Sequence, residues 1–444
     1  MKLLSFGLTT ILVAGRLSGA VLPMESRASS AVPGELPVVV DRETMPNVVG
    51  PFQVFNADSS AVLQLQFVGQ LRTDWESKDR ERDDDRDNDL SMQARRIRPS
   101  LTLKFPQPRI LFRLHLSTAP RSLELMDLYF NYGFGRNRQF RVGQYKIPFT
   151  RYRIQSFQRL TFVDWSIVTK YFGAERQMGF SIHNGYEQPP RLAYVFGVFS
   201  GVNARASHTV GLSKMYGEET VNPSDLADSG PRAEFHPELV GHFSYNPGGI
   251  QVRSDSDEER GGLRYSLGIS LAWDLDPVDY RDLAFRAAPE LLIKYRGASL
   301  MSAGYTGFVE IGNSLRTRQA MAGLLVQTSV RVTQRCELSF RYAVVDFERA
   351  VIDDAFARAG QLISEAEQHL VDSTLTQQEV DNLKELYCNA GRILREQEVT
   401  IGFNFYIREH SLKWQGDFGR LRYSLREGGT LDDIVARSQF QVAF

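Results

Sequence analysis

The chain contains many segments in which apolar and polar residues alternate one by one. In the segment 63–72, leucine and phenylalanine alternate with glutamine and arginine, and the same pattern recurs at 96–105, 263–274 and 399–408. A period of two places the apolar side chains on one face of a β-strand and the polar ones on the other. Roughly sixteen such segments, many about ten residues long, are the pattern expected of strands that cross a membrane at a tilt.

The connections between these predicted strands are short on one side and long on the other. Residues 106–108 and 409–410 are short turns, whereas 76–89 and 201–235 are long and charged. A soluble β-sandwich would also alternate, but this asymmetry is typical of outer-membrane barrels. The sequence therefore predicts an all-β, transmembrane antiparallel β-barrel of about 16 strands. The segment 246–262 departs from the rule because it is long where a short turn is expected.

One insertion has a helical period instead. Within residues 354–395, Phe356, Ala359 and Ile363 share one face of a first helix, and a second helix follows. We predict a helical hairpin over residues 350–396, in a loop outside the cell. It is either a solvated cap over the mouth of the barrel or a docking surface for a partner, and the sequence leaves both interpretations open.

The two ends of the chain predict its destination. Residues 1–20 have the charge, apolar stretch and small residues of a signal peptide. Residues 21–56, with scattered prolines, are interpreted as a periplasmic leader or linker, and residues 57–444 as the barrel. The last strand ends on Phe444, which resembles the C-terminal signature of bacterial outer-membrane barrels. We expect export through the periplasm to the bacterial outer membrane and contact with its lipid.

Composition removes several other classes of protein. The formal net charge of -1, from 52 Lys and Arg against 53 Asp and Glu, argues against nucleic-acid binding. No long uncharged apolar run follows the N-terminus, which excludes a helical membrane protein. The seven histidines lack metal-like spacing, and Ser181 and His183 are interpreted as polar residues of the lumen. We expect no catalytic site, metal or cofactor, and no disulfide between Cys336 and Cys388.

A run of motifs between residues 127 and 179 resembles the phosphate-selective porin family, the O and P porins of Gram-negative bacteria. The blocks, in order, are DLYFNY at 127–132, RVGQYKIPF at 141–149, RLTFVD at 159–164 and RQMG at 176–179. The resemblance implies a sixteen-stranded barrel, a homotrimer, and a third loop that folds inward and narrows the pore. In this chain that loop would span about 147–175.

The polar faces of the predicted strands carry many basic residues. Opposite the apolar faces we count roughly a dozen basic groups against about seven or eight acidic ones, which predicts a mildly positive lumen. The candidate anion-contacting residues are Arg96, Arg98, Lys104, Arg113, Arg141, Arg264 and Arg341 on strands, and Arg151, Arg153, Arg159 and Lys170 in the third loop, with Asp164 opposing the loop residues. The four loop residues could instead brace the loop against acidic partners on the barrel wall.

These features predict a porin for small hydrophilic solutes that prefers anions, phosphate or related oxyanions. Arginine offers a planar fork of donors that matches phosphate oxygens, and several weak sites suit conduction better than one tight site. The alternative is a barrel that serves as a platform for surface adhesion or partner binding, through the helical hairpin and the 76–89 loop.

Overall fold

The computed structural model describes most of the chain after residue 51. The described residues are 52–55, 60–79, 86–118, 123–134, 137–173, 176–187, 190–200, 237–250, 253–275, 283–310, 317–371, 377 and 391–444. Outside them lie the expected signal peptide at 1–20, most of the expected leader at 21–56, the 201–235 connection, Cys388 and most of the expected second helix of the hairpin.

The described residues form seventeen β-strands, which are β1 (Phe52–Phe55), β2 (Val62–Asp79), β3 (Arg86–Phe105), β4 (Ile110–Ser117), β5 (Glu124–Gly133), β6 (Gln139–Lys146), β7 (Arg176–His183), β8 (Leu192–Phe199), β9 (Glu238–Tyr245), β10 (Arg264–Asp274), β11 (Phe285–Tyr295), β12 (Ala298–Glu310), β13 (Thr317–Arg331), β14 (Cys336–Phe347), β15 (Ile393–Arg408), β16 (Leu412–Leu425) and β17 (Thr430–Ala443). From β2 onward, each strand pairs antiparallel with the next. β17 pairs back with β2, with Phe440 opposite Leu71, so the sheet closes. The predicted sixteen-stranded antiparallel barrel is confirmed.

The short strand β1 adds a detail that the sequence did not predict. Its four residues were expected to end an irregular leader, yet they pair with Val62–Leu65 at the start of β2. β17 reaches only as far as Val68 of β2, where Ala443 is its partner, and Phe444 exchanges backbone hydrogen bonds with Phe67. β1 therefore occupies the edge of β2 that β17 leaves unpaired.

The two faces of the sheet have the polarity that the alternation predicts. On β10, Leu267, Ile269 and Leu271 are exposed on the outer face, whereas Ser266 and Ser270 are buried inside. Burying polar side chains and exposing apolar ones inverts the usual arrangement of a soluble protein. It is the arrangement of a barrel whose outer face meets lipid.

The two ends of the barrel differ in their connections. We call the end where β2 begins and β17 ends the turn end, and the opposite end the loop end. At the loop end, the expected charged loop at 76–89 is largely strand, because β2 runs to Asp79 and β3 begins at Arg86. Hydrogen bonds from Arg86 to Ser77 and from the Asp79 amide to Asp433 hold this extension. Charged residues suit a strand that continues beyond the apolar band.

Three α-helices with described bounds and one short 3-10 helix, Phe157–Arg159, interrupt the strand pattern in the described residues. α1 (Arg151–Ile154) and α2 (Val168–Phe172) lie between β6 and β7, and α3 (Arg349–Val371) lies between β14 and β15. α3 confirms the first helix of the expected hairpin. The expected second helix was wrong at its end, because β15 already begins at Ile393, and its Arg395 pairs with Asp346 across the sheet. No helix in the described ranges is long and apolar enough to cross a membrane.

Candidate functional site: the lumen and its basic cavity

Residues 147–173, called loop 3 here, fold into the barrel and pack against the strands β10 to β17. Backbone amides of the loop donate to carboxylates on the wall: Arg151 to Glu290 at 2.8 Å, Val163 to Asp417 at 2.9 Å and Ile167 to Glu398 at 2.9 Å. Irregular backbone inside a barrel needs such partners, since buried amides are costly without a hydrogen bond. The wall carboxylates therefore hold the loop.

Wall side chains also satisfy the carbonyl groups of loop 3. Lys413 and Gln415 donate to the Leu160 carbonyl at 3.0 and 2.9 Å, and Asn404 donates to the Thr161 carbonyl at 2.8 Å. The apolar side chains of the loop, such as Phe162, are almost fully buried. This half of the lumen, between loop 3 and β10–β17, is consequently packed with protein.

Asp164 joins loop 3 to the other side of the barrel. Its carboxylate accepts hydrogen bonds from Arg72 at 2.6 Å and Arg96 at 3.2 Å. Burial raises the pKa of Asp164, but the charges of Arg96 and Arg72 outweigh it and hold this pKa well below its usual value. Asp164 was expected to oppose the basic residues of its own loop, whereas its ion pairs are with strand arginines.

A cavity of about 270 Å³ remains on the other side of loop 3, against strands β2 to β9. Among the described residues that line it are eight basic side chains and two acidic ones. The basic side chains are Arg98, Arg113, Arg141, Lys146, Arg151, Arg159, Arg176 and Arg253, and the acidic ones are Asp127 and Glu187. The local excess of positive charge is larger than the sequence count for the whole lumen predicted.

Both acidic side chains of the cavity are already paired with cations. Arg176 donates to Asp127 at 2.6 Å, and Arg141 donates to Glu187 at 2.8 Å. Burial raises the pKa of Glu187, but Arg141 more than offsets this effect and brings it to about 2. Glu187 therefore stays ionised at neutral pH, and the net charge of the cavity remains positive.

Aromatic rings support two of the cavity arginines. The Arg141 guanidinium lies 4.4 Å from the ring centroid of Tyr129, and that of Arg98 lies 4.6 Å from the ring centroid of Phe157. A ring face attracts a cation without neutralising its charge, as a carboxylate would. Both rings thus help to hold the arginines in place, and the ring at Arg98 does so without offsetting its charge.

The side chain of Arg151 is a buried cation of loop 3. It is 6% exposed, and its Nη1 and Nη2 atoms have no hydrogen-bond partner among the described residues. The Arg151 amide donates to Glu290, so the backbone of loop 3 is fixed at this residue. A buried donor without a partner costs about 1–3 kcal/mol. Arg151 therefore lines the cavity with two buried donors that no described residue satisfies.

The structure separates the eleven predicted site residues into two groups. Five line the cavity, namely Arg98, Arg113, Arg141, Arg151 and Arg159. The other six lie elsewhere: Arg96 against Asp164, Arg341 against Glu398, Lys170 against Glu396, Arg264 against Asp257, Arg153 over Trp165, and Lys104 in a separate recess at the turn end.

Sequence reasoning did not single out three basic residues of the cavity. Lys146 ends β6 and Arg176 begins β7, on either side of loop 3. Their positions in the sequence could therefore have indicated that they lie close to the loop. Arg253 lies in the long connection between β9 and β10. No alternation of apolar and polar residues there predicts which way a side chain points.

The lumen polar residues include the pair that resembled a catalytic arrangement. Ser181 accepts a hydrogen bond from Tyr145 at 2.8 Å, and His183 contacts Asn131 at 2.9 Å. The described part of the chain contains no group of three or more His, Cys, Asp or Glu side chains placed to hold a metal ion. Both residues thus belong to a hydrogen-bonded polar wall.

Comparison with known proteins supports a channel. Residues 66–228 match the model of the phosphate-selective porin O and P family, which confirms the resemblance found in the sequence. A comparison with curated protein sequences finds no match. The fold is similar to that of the outer membrane channel DcaP of Acinetobacter baumannii, with 10% identity, 88% of this chain and 99% of that chain covered, and a TM-score of 0.51.

A second solved structure is an anion-selective porin from Comamonas acidovorans, with 11% identity, 86% of this chain and 100% of that chain covered, and a TM-score of 0.49. At such identities, the likeness to DcaP speaks for the fold alone. The family match together with the barrel supports an outer-membrane channel that passes small solutes, rather than an enzyme.

Proposed function

We propose that this protein is an outer-membrane porin for small hydrophilic solutes and that it prefers anions, phosphate or related oxyanions. The observation that carries the proposal is the cavity beside loop 3, with eight basic side chains against two carboxylates that are already paired. Positive groups along a narrow wet pore lower the barrier for anions.

The anion-contacting residues in this proposal are the cavity members of the predicted set: Arg98, Arg113, Arg141, Arg151 and Arg159. Guanidinium groups match phosphate oxygens with two parallel donors. Several such groups around one cavity give an anion several weak contacts instead of one tight site, which permits release as well as entry.

The orientation and assembly belong to the same proposal. Outer-membrane barrels have short turns in the periplasm and longer loops outside the cell, so the turn end faces the periplasm. The signal peptide at 1–20 accounts for export, and the family resemblance favours a homotrimer.

The test is single-channel recording of the refolded protein in planar bilayers under a salt gradient. We expect a reversal potential whose sign indicates a preference for anions. We also expect added phosphate to block the chloride current. The double variant Arg113→Gln/Arg159→Gln should weaken both effects several-fold. A matched double variant, Arg420→Gln/Arg422→Gln, removes two arginines that are paired with Asp432 near the loop end and should change neither. A channel without anion preference would refute the selectivity.

The adhesion platform is the second candidate, and the packed half of the lumen favours it. Loop 3 fills much of the barrel, and α3 projects as a 23-residue helix at the loop end. A refolded barrel that never conducts would support this platform and refute the porin.

A further inference from the structure

The connection between β9 and β10 is the long segment that broke the turn rule. We call its described residues 246–250 and 253–263 the long turn. Other connections at the turn end are tight, such as Arg296–Gly297 between β11 and β12. In contrast, Ser254, Asp255, Ser256 and Asp257 of the long turn are each no more than 2% exposed. The long turn therefore enters the barrel.

Asp255 fixes the long turn to the inner elements. Its carboxylate accepts hydrogen bonds from Gln155 of loop 3 at 2.7 Å and from Gln327 of β13 at 3.0 Å. The two segments that enter the lumen thus meet each other against the same wall.

Asp257 and Ser256 fix the long turn to three further elements. Asp257 accepts from Arg264 of β10 at 2.5 Å and from the Gly297 amide at 2.8 Å. The Ser256 carbonyl accepts from Lys294 of β11 at 2.7 Å, and its hydroxyl accepts from Arg331 of β13 at 2.9 Å. These partners belong to the packed half of the lumen, at its turn end.

The long turn also reaches the cavity. Arg253 lines it and donates to the Glu187 carbonyl. Glu258 contacts His410 at 2.8 Å and lies 3.9 Å from Arg159 of loop 3.

Burying these carboxylates is costly unless each is paired and hydrogen-bonded. A solvent-exposed hairpin would avoid this cost altogether. Asp257 has both an ion pair with Arg264 and the Gly297 amide, and Asp255 has two side-chain amide donors, which indicates that the inward position is specified by the sequence.

We propose that the long turn is a second constriction element of the channel, which sets the largest solute that passes. Together with loop 3 it seals the half of the barrel formed by β10 to β17. Its Arg253 forms part of the cavity wall, so solutes pass only along the β2–β9 side. This inference rests on the proposed function in one respect, since the barrel must conduct.

The first experiment replaces Ser254–Glu259 with six alternating Gly and Ser residues, which keeps the length and removes the anchors. Swelling of liposomes that contain the refolded protein is then measured with uncharged sugars of increasing size, because their entry is independent of the changed charge. We expect a trisaccharide to enter at least fivefold faster through the variant than through the wild type.

A matched control is the replacement of Glu427–Gly429, an exposed stretch at the loop end, by Gly and Ser, which should leave sugar entry unchanged. Equal entry through the wild type and the long-turn variant would overturn the constriction. A wild type that passes neither the smallest sugar nor ions would instead overturn the proposed porin function.

The second experiment does not depend on the folding of that variant. In a Cys336→Ser/Cys388→Ser background, Ser256→Cys places a thiol at a fully buried position, and Arg335→Cys places one at an exposed turn on the same end. We expect a bulky maleimide to label Ser256→Cys at least tenfold more slowly than Arg335→Cys. Equal labelling rates of the two variants would show that the long turn lies outside the barrel and would overturn the inference.

Discussion

Buried arginines have different surroundings in the two halves of the lumen. Against β10–β17, Arg341 is fully buried and donates to Glu398 at 2.8 Å. Against β2–β9, Arg151 is nearly as buried, yet its Nη1 and Nη2 atoms have no hydrogen-bond partner among the described residues. The comparison shows that two buried arginines of one barrel differ in whether a carboxylate lies within hydrogen-bond distance of their Nη atoms.

Charge balance distinguishes the halves in the same way. In the packed half, several cations pair directly with carboxylates, as in the pairs of Arg437 with Asp417 and of Arg264 with Asp257. In the cavity, the basic side chains outnumber the acidic ones eight to two. Paired charges permit dense packing, whereas an excess of one sign produces a field that acts on mobile ions.

The largest effect is expected from breaking a pair in the packed half. Glu398→Ala leaves Arg341 buried without its partner and removes the acceptor of the Ile167 amide. Such a loss costs about 3–5 kcal/mol of unfolding free energy. Denaturant titration of the refolded barrel in lipid vesicles measures it.

The matched control removes an acid from an exposed pair. Asp346→Ala breaks the pair with Arg395, in which both side chains are about half exposed, and should cost less than about 1 kcal/mol. If both variants lose the same stability, the packed half does not depend on its buried pairs.

A smaller effect is expected where loop 3 packs tightly against a glycine of the wall. A Cβ atom at Gly402 would lie 2.8 Å from the Ser339 hydroxyl and 3.0 Å from the Phe162 ring. Gly402→Ala should therefore cost about 1–3 kcal/mol by overpacking. At Gly304 on β12 the nearest atom to a new Cβ is 3.7 Å away, so Gly304→Ala should be tolerated. The same denaturant titration compares them, and equal losses would contradict the close contact.

The smallest effect on stability, but a clear one on transport, is expected at Arg151. Arg151→Gln removes a guanidinium whose Nη atoms have no hydrogen-bond partner among the described residues, so the free energy of unfolding should not fall. Block of chloride current by phosphate should weaken several-fold, because two donors to the anion are lost. A large loss of stability with unchanged block by phosphate would show that Arg151 holds loop 3 against the wall instead of contacting the anion.

Several features of the barrel could be predicted from the sequence because their cause is local. Alternation at 263–274 predicts an outward Leu267 and an inward Ser266, since successive side chains of a strand point to opposite faces. The period of Phe356, Ala359 and Ile363 likewise predicts α3. The length of the segment 246–262 indicated that it departs from the short-turn rule, but it did not indicate that the segment folds into the barrel.

By itself, then, the sequence determined the barrel and the faces of its strands, because both follow from the residue pattern along one strand. The tertiary structure decided which cations of the lumen pair with a carboxylate. The sequence does not distinguish Arg341 from Arg151 in this respect, and only folding brings Glu398 to one of them. Likewise, the Asp255 partners Gln155 and Gln327 lie 100 and 72 residues away, so no local pattern could show that the long turn enters the lumen.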